Sequence, residues 1–426
     1  MPLNRALSLL ELTLCGVGII LGAGIYALIG AGAAVAGNAV WMSFAFGALI
    51  AILTGLSYAE LSSMYPEASA EYEYVRRAFG EKAAFLVGWL VIFASVLGAT
   101  TVAIGFGGYF GAFFSISWIY GAITIIVVSS IIILLGVKFS AKLGSIITLI
   151  EASGLLFIIF LGAPHIFSFD FTEIPSIQGV LGGTIIVFFA FLGFEEMVRF
   201  SEETIDSKNV MPKALLLSII GSTILYILVS VSAVSIAGAK ALAQSESPLA
   251  TVAQTAMGSQ AFYFLSIIAL FATANTVLLV LLAASRLLYG ISKENAMPKA
   301  LSLVSANGTP WVAVIATGAL STVFLAIGTI GFVASAVDLA LFIIFIIINL
   351  SMIKLRFSLP EKERPFKVPI SFFKIPLLSV AGIILTTIFV FSIHDVKIFE
   401  TVFVVIITGI IAMFLFSKPK TQKQNI

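Results

Sequence analysis

Two stretches of the 426-residue chain interrupt apolar runs with glycine and polar residues: Gly16-Val17-Gly18 through Gly22-Ala23-Gly24, and Gly193-Phe194-Glu195-Glu196. A helix broken at such a place frees backbone N–H groups at the start of its second half, where the helix dipole favours an anion. It also frees C=O groups that accept from a cation. Glycine lets a ligand approach that backbone closely. The chemistry on offer is recognition of a small zwitterion: its carboxylate at Gly22-Ala23-Gly24, its ammonium at the carbonyls of Ile20, Phe189, Ala190 and Leu192. Close helix packing through small residues explains either stretch taken alone, whereas two interruptions at corresponding places favour a site. A phosphate-binding loop is excluded, because no strand precedes the glycines and no acid follows at the spacing of a βαβ unit.

Glu151 is the third residue with chemistry to offer. It lies about ten residues into an apolar run, which at about 1.5 Å per residue puts it roughly 15 Å deep in a membrane. A carboxyl there is costly when charged, and three readings are open: a proton-carrying group, a cation ligand helped by Thr273 and Thr276, or a hydrogen-bonded structural acid.

The elements that position these residues follow from composition. Hydrophobic residues make up 60% of the chain and charged residues 10%, with a mean hydropathy of +1.15. The charges gather in short clusters and leave apolar runs of roughly 18–25 residues, long enough to cross a hydrocarbon core. In lipid every backbone amide needs a partner within the segment, so these runs are helices; nearly continuous apolar stretches such as 123–135 and 339–350 lack the alternation of a β-barrel. The fold class is therefore an all-α polytopic membrane protein of about twelve helices. The expected spans are 7–36, 39–64, 83–112, 118–136, 141–163, 177–200, 212–238, 260–291, 309–327, 331–357, 373–391 and 397–416. The first run is read as a retained helix, because it exceeds a signal-peptide core.

With a cytoplasmic N-terminus, Arg76, Arg77, Lys82, Lys138, Lys142, Arg199, Lys208, Lys213, Arg286, Lys293, Lys299 and the run from Lys354 to Lys374 all fall inside, leaving Lys240 and Lys397 outside. This matches the positive-inside rule and puts both termini in the cytoplasm. Segment 65–82 is expected to hold a short inner helix, and 241–258 either a short outer helix or a loop. Arg286 is expected to snorkel to the interface. Glu202, Glu203 and Asp206 read as a solvated loop near Lys208 and Lys213, with an inner gate against Arg76 or Arg77 as the alternative. The interrupted first and sixth spans stand five helices apart, the mark of an inverted repeat. The units are 1–163, 164–357, and a C-terminal pair of helices with a short tail at 358–426.

Further stretches carry a resemblance: Gly16 to Tyr26; Tyr65-Pro66 followed by Glu71-Tyr72 and Val75 to Gly80; Gly136-Val137-Lys138 with Ser140-Ala141-Lys142; Phe188 to Glu195 with Glu202-Glu203; and Arg364-Pro365-Phe366-Lys367-Val368-Pro369. In this order they resemble the amino acid-polyamine-organocation superfamily, within it the prokaryotic relatives of cationic amino-acid transporters. The resemblance implies a LeuT-like five-plus-five fold with two added helices. It further implies a substrate site at Ile20, Gly22, Ala23, Gly24, Ile25, Phe189, Ala190, Phe191 and Leu192, with Phe189 as a gating aromatic. Two places depart from the pattern: Ser69-Ala70 replaces a glycine pair, and Thr148-Leu149-Ile150-Glu151 carries glutamate where many relatives have lysine. Glu195, the family match, is expected to hold the broken segment, with substrate contact as the alternative. Adjacent helix positions point apart, so Glu195 and Glu196 are not expected to face one site together.

The function expected is secondary active amino-acid transport across the cytoplasmic membrane by alternating access. A proton is the favoured coupling ion and sodium the alternative. Exchange of amino acids or polyamines, and a non-transporting sensor on the same fold, are the rivals. No cofactor and no metal are expected, since Cys15 is the single cysteine and His165 and His394 fall in different loops. The small net charge of +2 argues against nucleic acid. An ATP-driven pump is disfavoured because no Walker motif is present, and an enzyme because no cluster of catalytic groups is. Oligomeric state is left open.

Overall fold

The computed structural model describes residues 1–426 except 1, 2, 4, 115, 167, 168, 174, 246, 328, 329, 394, 395 and 417–426. The side chains of residues 23, 27, 112, 113, 327, 330–332 and 416 also stand outside the description. Among the sequence expectations, His394, the C-terminal tail and the side chain of Ala23 therefore lie outside the described residues.

Among the described residues the chain is all-α apart from one short hairpin and an isolated bridge between Leu7 and Thr204. Its helices are α1 (Leu9–Ala36), α2 (Val40–Met64), α3 (Ala70–Phe79), α4 (Glu81–Phe114), α5 (Trp118–Leu134), α6 (Val137–Gly162) and α7 (Ile177–Phe188). There follow α8 (Ser207–Ala243), α9 (Pro248–Met257), α10 (Ser259–Lys293), α11 (Trp311–Phe324) and α12 (Ile330–Ser358). After the hairpin β1 (Ser371–Phe372) and β2 (Ile375–Pro376) come α13 (Leu377–Phe391) and α14 (Val396–Phe416). Among the described residues, eight helical stretches are long and apolar enough to cross a membrane, and four more apolar helices are shorter. It is a polytopic helical membrane protein.

The local chemistry sets the boundaries. Ser8 caps α1: its hydroxyl accepts the Glu11 amide, and the Glu11 carboxylate accepts the Ser8 amide at 2.9 Å, which satisfies two donors that the first turn would otherwise leave bare. The expected inner helix is α3, and the segment 241–258 holds α9. α8 runs longer than expected, starting at Ser207, and Pro212 lies inside it, where it removes one helical hydrogen bond.

α1 is the central helix, packed against α6, α7, α8 and α10, while α13 and α14 lie at the periphery against α2, α12 and α4. In the last turns of α2, the buried Glu60 carboxylate accepts from Arg356 Nε (3.0 Å), Arg364 Nε (3.0 Å) and the Val368 amide (2.8 Å). One acid thus ties the Arg364–Pro369 segment to the bundle, and its bonds to two guanidinium groups are of the charge-assisted kind.

Candidate functional site

Both interruptions read from the sequence are breaks in the backbone. Within α1 the dihedrals leave the helical region at Gly22 (φ 0°, ψ −146°). α7 stops at Phe188, makes one tight 3₁₀ turn over Phe189–Phe191, extends at Leu192 (φ −62°, ψ 145°), turns at Gly193 (φ 116°) and resumes as a 3₁₀ helix at Met197–Glu203. The sixth span is therefore not one helix over 177–200: Gly193 adopts a conformation that residues with a Cβ rarely hold. The two breaks touch. A Cβ on Gly24 would sit 2.4 Å from the Cα of Ala190, so only glycine allows this approach.

The breaks are stitched by a residue that the sequence reading missed. Tyr226, fully buried on α8, donates its hydroxyl to the Ala190 carbonyl at 2.8 Å and also reaches the Ile20 carbonyl. Its ring packs on Phe44 and Phe191 at centroid distances of 5.4 and 5.1 Å. The available signal was its being the single aromatic residue of α8. Tyr226→Phe should cost about 1–2 kcal/mol by leaving buried carbonyls without a donor; a thermal midpoint equal to wild type would refute that role.

A cavity of about 50 Å³ opens where the breaks meet. At about 10–15 Å³ for each water-sized sphere, it holds only a few atoms' worth of ligand as it stands. Ile19, Ile20 and Gly24 of α1 form one wall, Phe189, Leu192, Gly193, Glu195 and Glu196 another, and Ala94, Ser95, Gly98, Thr276, Val280, Val337 and Leu341 are among the residues that complete it. Of the expected binding residues, Ile20, Gly24, Phe189 and Leu192 are on the wall. Gly22, Ile25, Ala190 and Phe191 are not among the lining residues: Ile25 is packed in the core, and Ala190 and Phe191 are engaged with Tyr226.

Glu195 accepts the Gly193 amide at 2.9 Å, directly across the break. Contrary to the helical-rotation argument, Glu195 and Glu196 both line the cavity, because residues 192–196 form a turn rather than a helix. Arg199, expected at the cytoplasmic end of the sixth span, is fully buried. Its Nη1 donates to Ser95 Oγ (2.7 Å) and Glu196 Oε1 (3.0 Å), and its Nη2 to Glu71 Oε1 (3.2 Å). Arg286 does not snorkel: it is buried and donates through Nε and Nη2 to the two oxygens of buried Glu203, each at 3.0 Å. Glu203 is thus no solvated loop acid. The gate pairing of Arg76 or Arg77 with Glu202, Glu203 or Asp206 does not form; both arginines hold Glu73, and Lys293 Nζ takes Glu202 at 2.9 Å. At this rim, burial and then Glu73, Glu294 and Glu202 push the Glu67 carboxyl above the usual carboxylate range.

Glu151 stands behind the α1 break rather than on the cavity wall. It is fully buried, and neither carboxyl oxygen makes a hydrogen bond of normal geometry to a described residue. Asn275 is the polar side chain beside it. The Asn275 Nδ2 donates to Thr148 Oγ1 at 2.9 Å, and its Oδ1 is likewise without a partner. Tyr26 donates to the Glu151 backbone carbonyl at 2.8 Å. Thr273 turns its hydroxyl to Ala269 of its own helix, and Thr276 turns its own to Ala272 and Gly18.

Comparison with known proteins places this geometry in context. The profile of the amino acid permease family matches residues 7–416. The branched-chain amino acid permease BcaP of Bacillus subtilis (strain 168) is 28% identical over 99% of this chain and 95% of its own length. The methylthioribose transporter of the same organism is 28% identical over 98% and 94%. Cationic amino acid transporter 3, mitochondrial, of Arabidopsis thaliana is 27% identical over 85% of this chain and 64% of its own.

Proposed function

The chain belongs to the amino acid permease family, and from that premise we propose a secondary transporter that carries an amino acid by alternating access and draws on a proton gradient through Glu151. The observation that carries the reading is the junction of two backbone breaks, far apart in the chain, at Gly24 and Ala190 beside one shared cavity. Freed amides past Gly22 receive the substrate carboxylate, and Phe189 closes over it. Residues 1–163 and 164–357 act as inverted five-helix repeats, 358–426 adds two helices, and the four shorter apolar helices complete twelve crossings of the cytoplasmic membrane with both termini inside. The few atoms that the cavity now admits mean that loading requires the breaks to part, which is the motion of alternating access.

The proton role rests on charge. A buried carboxyl with no cation partner is stable only when neutral, so it takes a proton from one side and releases it when water reaches it from the other. Sodium at the same place, with the hydroxyls of Thr273 and Thr276, is the alternative.

The test is uptake of a panel of labelled amino acids by purified protein in proteoliposomes. One pH unit is worth about 1.4 kcal/mol, so a one-to-one symporter accumulates substrate about tenfold for each unit of inward gradient. Glu151→Gln should abolish that accumulation and flatten the rate between about pH 5 and 8, while leaving exchange against internal amino acid intact. An unchanged pH profile in the variant would return Glu151 to a structural role. Uptake by wild type only against internal amino acid would make the protein an exchanger, and binding without turnover a sensor.

A further inference from the structure

We infer that the positively charged amino group of the substrate is received by a side-chain carboxylate, the free oxygen of Glu196, rather than by the backbone carbonyls of the breaks alone. The inference rests on the amino-acid reading above and deepens it.

Three observations lead there. First, two of the carbonyls expected to accept the ammonium, those of Ile20 and Ala190, share the single hydroxyl proton of Tyr226 between them, and Ala190 is not among the residues lining the cavity. Second, Glu196 is on the cavity wall, 5% exposed, and asymmetric in its bonds. Its Oε1 accepts from Ser95 Oγ at 2.9 Å and from Arg199 Nη1 at 3.0 Å, while its Oε2 has no hydrogen-bond partner among the described residues. Third, the local charges do not balance. Arg199 is within ion-pair distance of two carboxylates, Glu71 at 3.2 Å and Glu196 at 3.0 Å, all three groups being buried.

Glu71 alone matches the charge of Arg199. A second carboxylate used only to neutralise that arginine would be superfluous and costly in a low-dielectric setting. A cation arriving from the cavity removes the excess and fills the vacant oxygen with a charge-assisted hydrogen bond. Glu195 is less suited, since it is engaged with the Gly193 amide across the break. Arg199 and Ser95 then serve as positioning residues: two bonds fix one oxygen of Glu196, and a third joins Arg199 to Ser95, so the carboxyl is held before the substrate arrives. Gly24 and Glu196 lie on the walls of the same small cavity, so one small amino acid reaches both.

The experiment measures binding to purified full-length protein. Each amino acid that binds is compared with its deaminated carboxylic acid, and lysine also with norleucine, which lacks only the side-chain amine. The readout is the ratio of the two dissociation constants. Wild type should favour the amine-bearing partner by at least roughly tenfold, the scale of one charge-assisted hydrogen bond. In Glu196→Gln that ratio should collapse, with little change for the deaminated acid. Glu196→Asp, which withdraws the carboxylate by one methylene, should fall between, and it supplies the answer if the glutamine variant does not fold. Glu71→Gln, which leaves Glu196 as the counter-charge of Arg199 and so removes the local excess, should weaken the preference without abolishing it, because the free oxygen of Glu196 stays on the cavity wall. The norleucine arm tells an α-amino group from a side-chain amine. A ratio in Glu196→Gln or Glu196→Asp equal to wild type overturns the inference. A flat wild-type titration with every amino acid overturns the amino-acid reading and this inference with it, and is told apart because no variant is needed to see it.

Discussion

Arg286→Met should destabilise the protein by about 3–5 kcal/mol, because it strands the Glu203 carboxylate in the interior without a counter-charge. Both side chains are buried and joined by two bonds of 3.0 Å. The guanidinium also donates to Ser285 Oγ at 3.1 Å, so few of its donors are idle. The pair links α10 to the segment after the second break, whose Glu203 carbonyl in turn accepts the amides of Ala6 and Leu7 before α1. Losing the charge on one side should therefore loosen three parts of the chain together. The double variant Arg286→Met with Glu203→Leu should recover most of the loss, since an apolar pair of similar size replaces a buried ion pair at little cost. The thermal midpoint in one fixed detergent or lipid decides it. A double variant as unstable as the single one would mean that the guanidinium matters through its packing instead.

Gly193→Ala is expected to be nearly as severe and to act at the site itself. The residue holds φ at 116°, and a Cβ there would stand 2.2 Å from Cγ2 of Ile19, a cavity residue. Backbone strain of about 1–3 kcal/mol adds to about 1–3 kcal/mol of overpacking, so the loss is on the order of 2–6 kcal/mol. Relief requires the turn at 192–196 to move, which displaces Glu195 and Glu196 from the cavity wall. Substrate affinity should fall along with stability. Gly98 supplies the contrast: it lines the same cavity, but nothing lies within 4 Å of a Cβ built on it. Gly98→Ala should keep the thermal midpoint, within about 0.5 kcal/mol, and lower affinity only by occupying room in the cavity. If Gly193→Ala keeps wild-type binding and stability, the turn is more pliable than its dihedrals indicate.

Much of the architecture was legible because its causes are local. A long aliphatic run in lipid has only the helix available, so among the described residues the eight long apolar helices and the four shorter ones stand close to where hydropathy puts them. Gly22 and Gly193 marked both breaks, because a residue without a Cβ is the cheapest place to leave helical dihedrals. The polar and aromatic stretch after Tyr65-Pro66 announced α3, and the depth of Glu151 announced its burial.

What only the tertiary structure decided is which polar groups meet. Glu71 and Arg199 stand 128 positions apart, and Tyr226 lies 206 positions from the Ile20 carbonyl it reaches. No periodicity along one helix reports such pairings. Helical geometry even misdirected the reading of Glu195 and Glu196, since its rotation per residue does not apply in a turn. Charge counting by loop likewise assigned Arg199 and Arg286 to an aqueous face, whereas each has a buried carboxylate to meet it. The sequence by itself determined where the chain spans, bends and hides an acid, because those follow from one segment's own backbone and solvent. The tertiary structure decided how the buried charges are balanced, because that depends on neighbours brought together only when the helices pack.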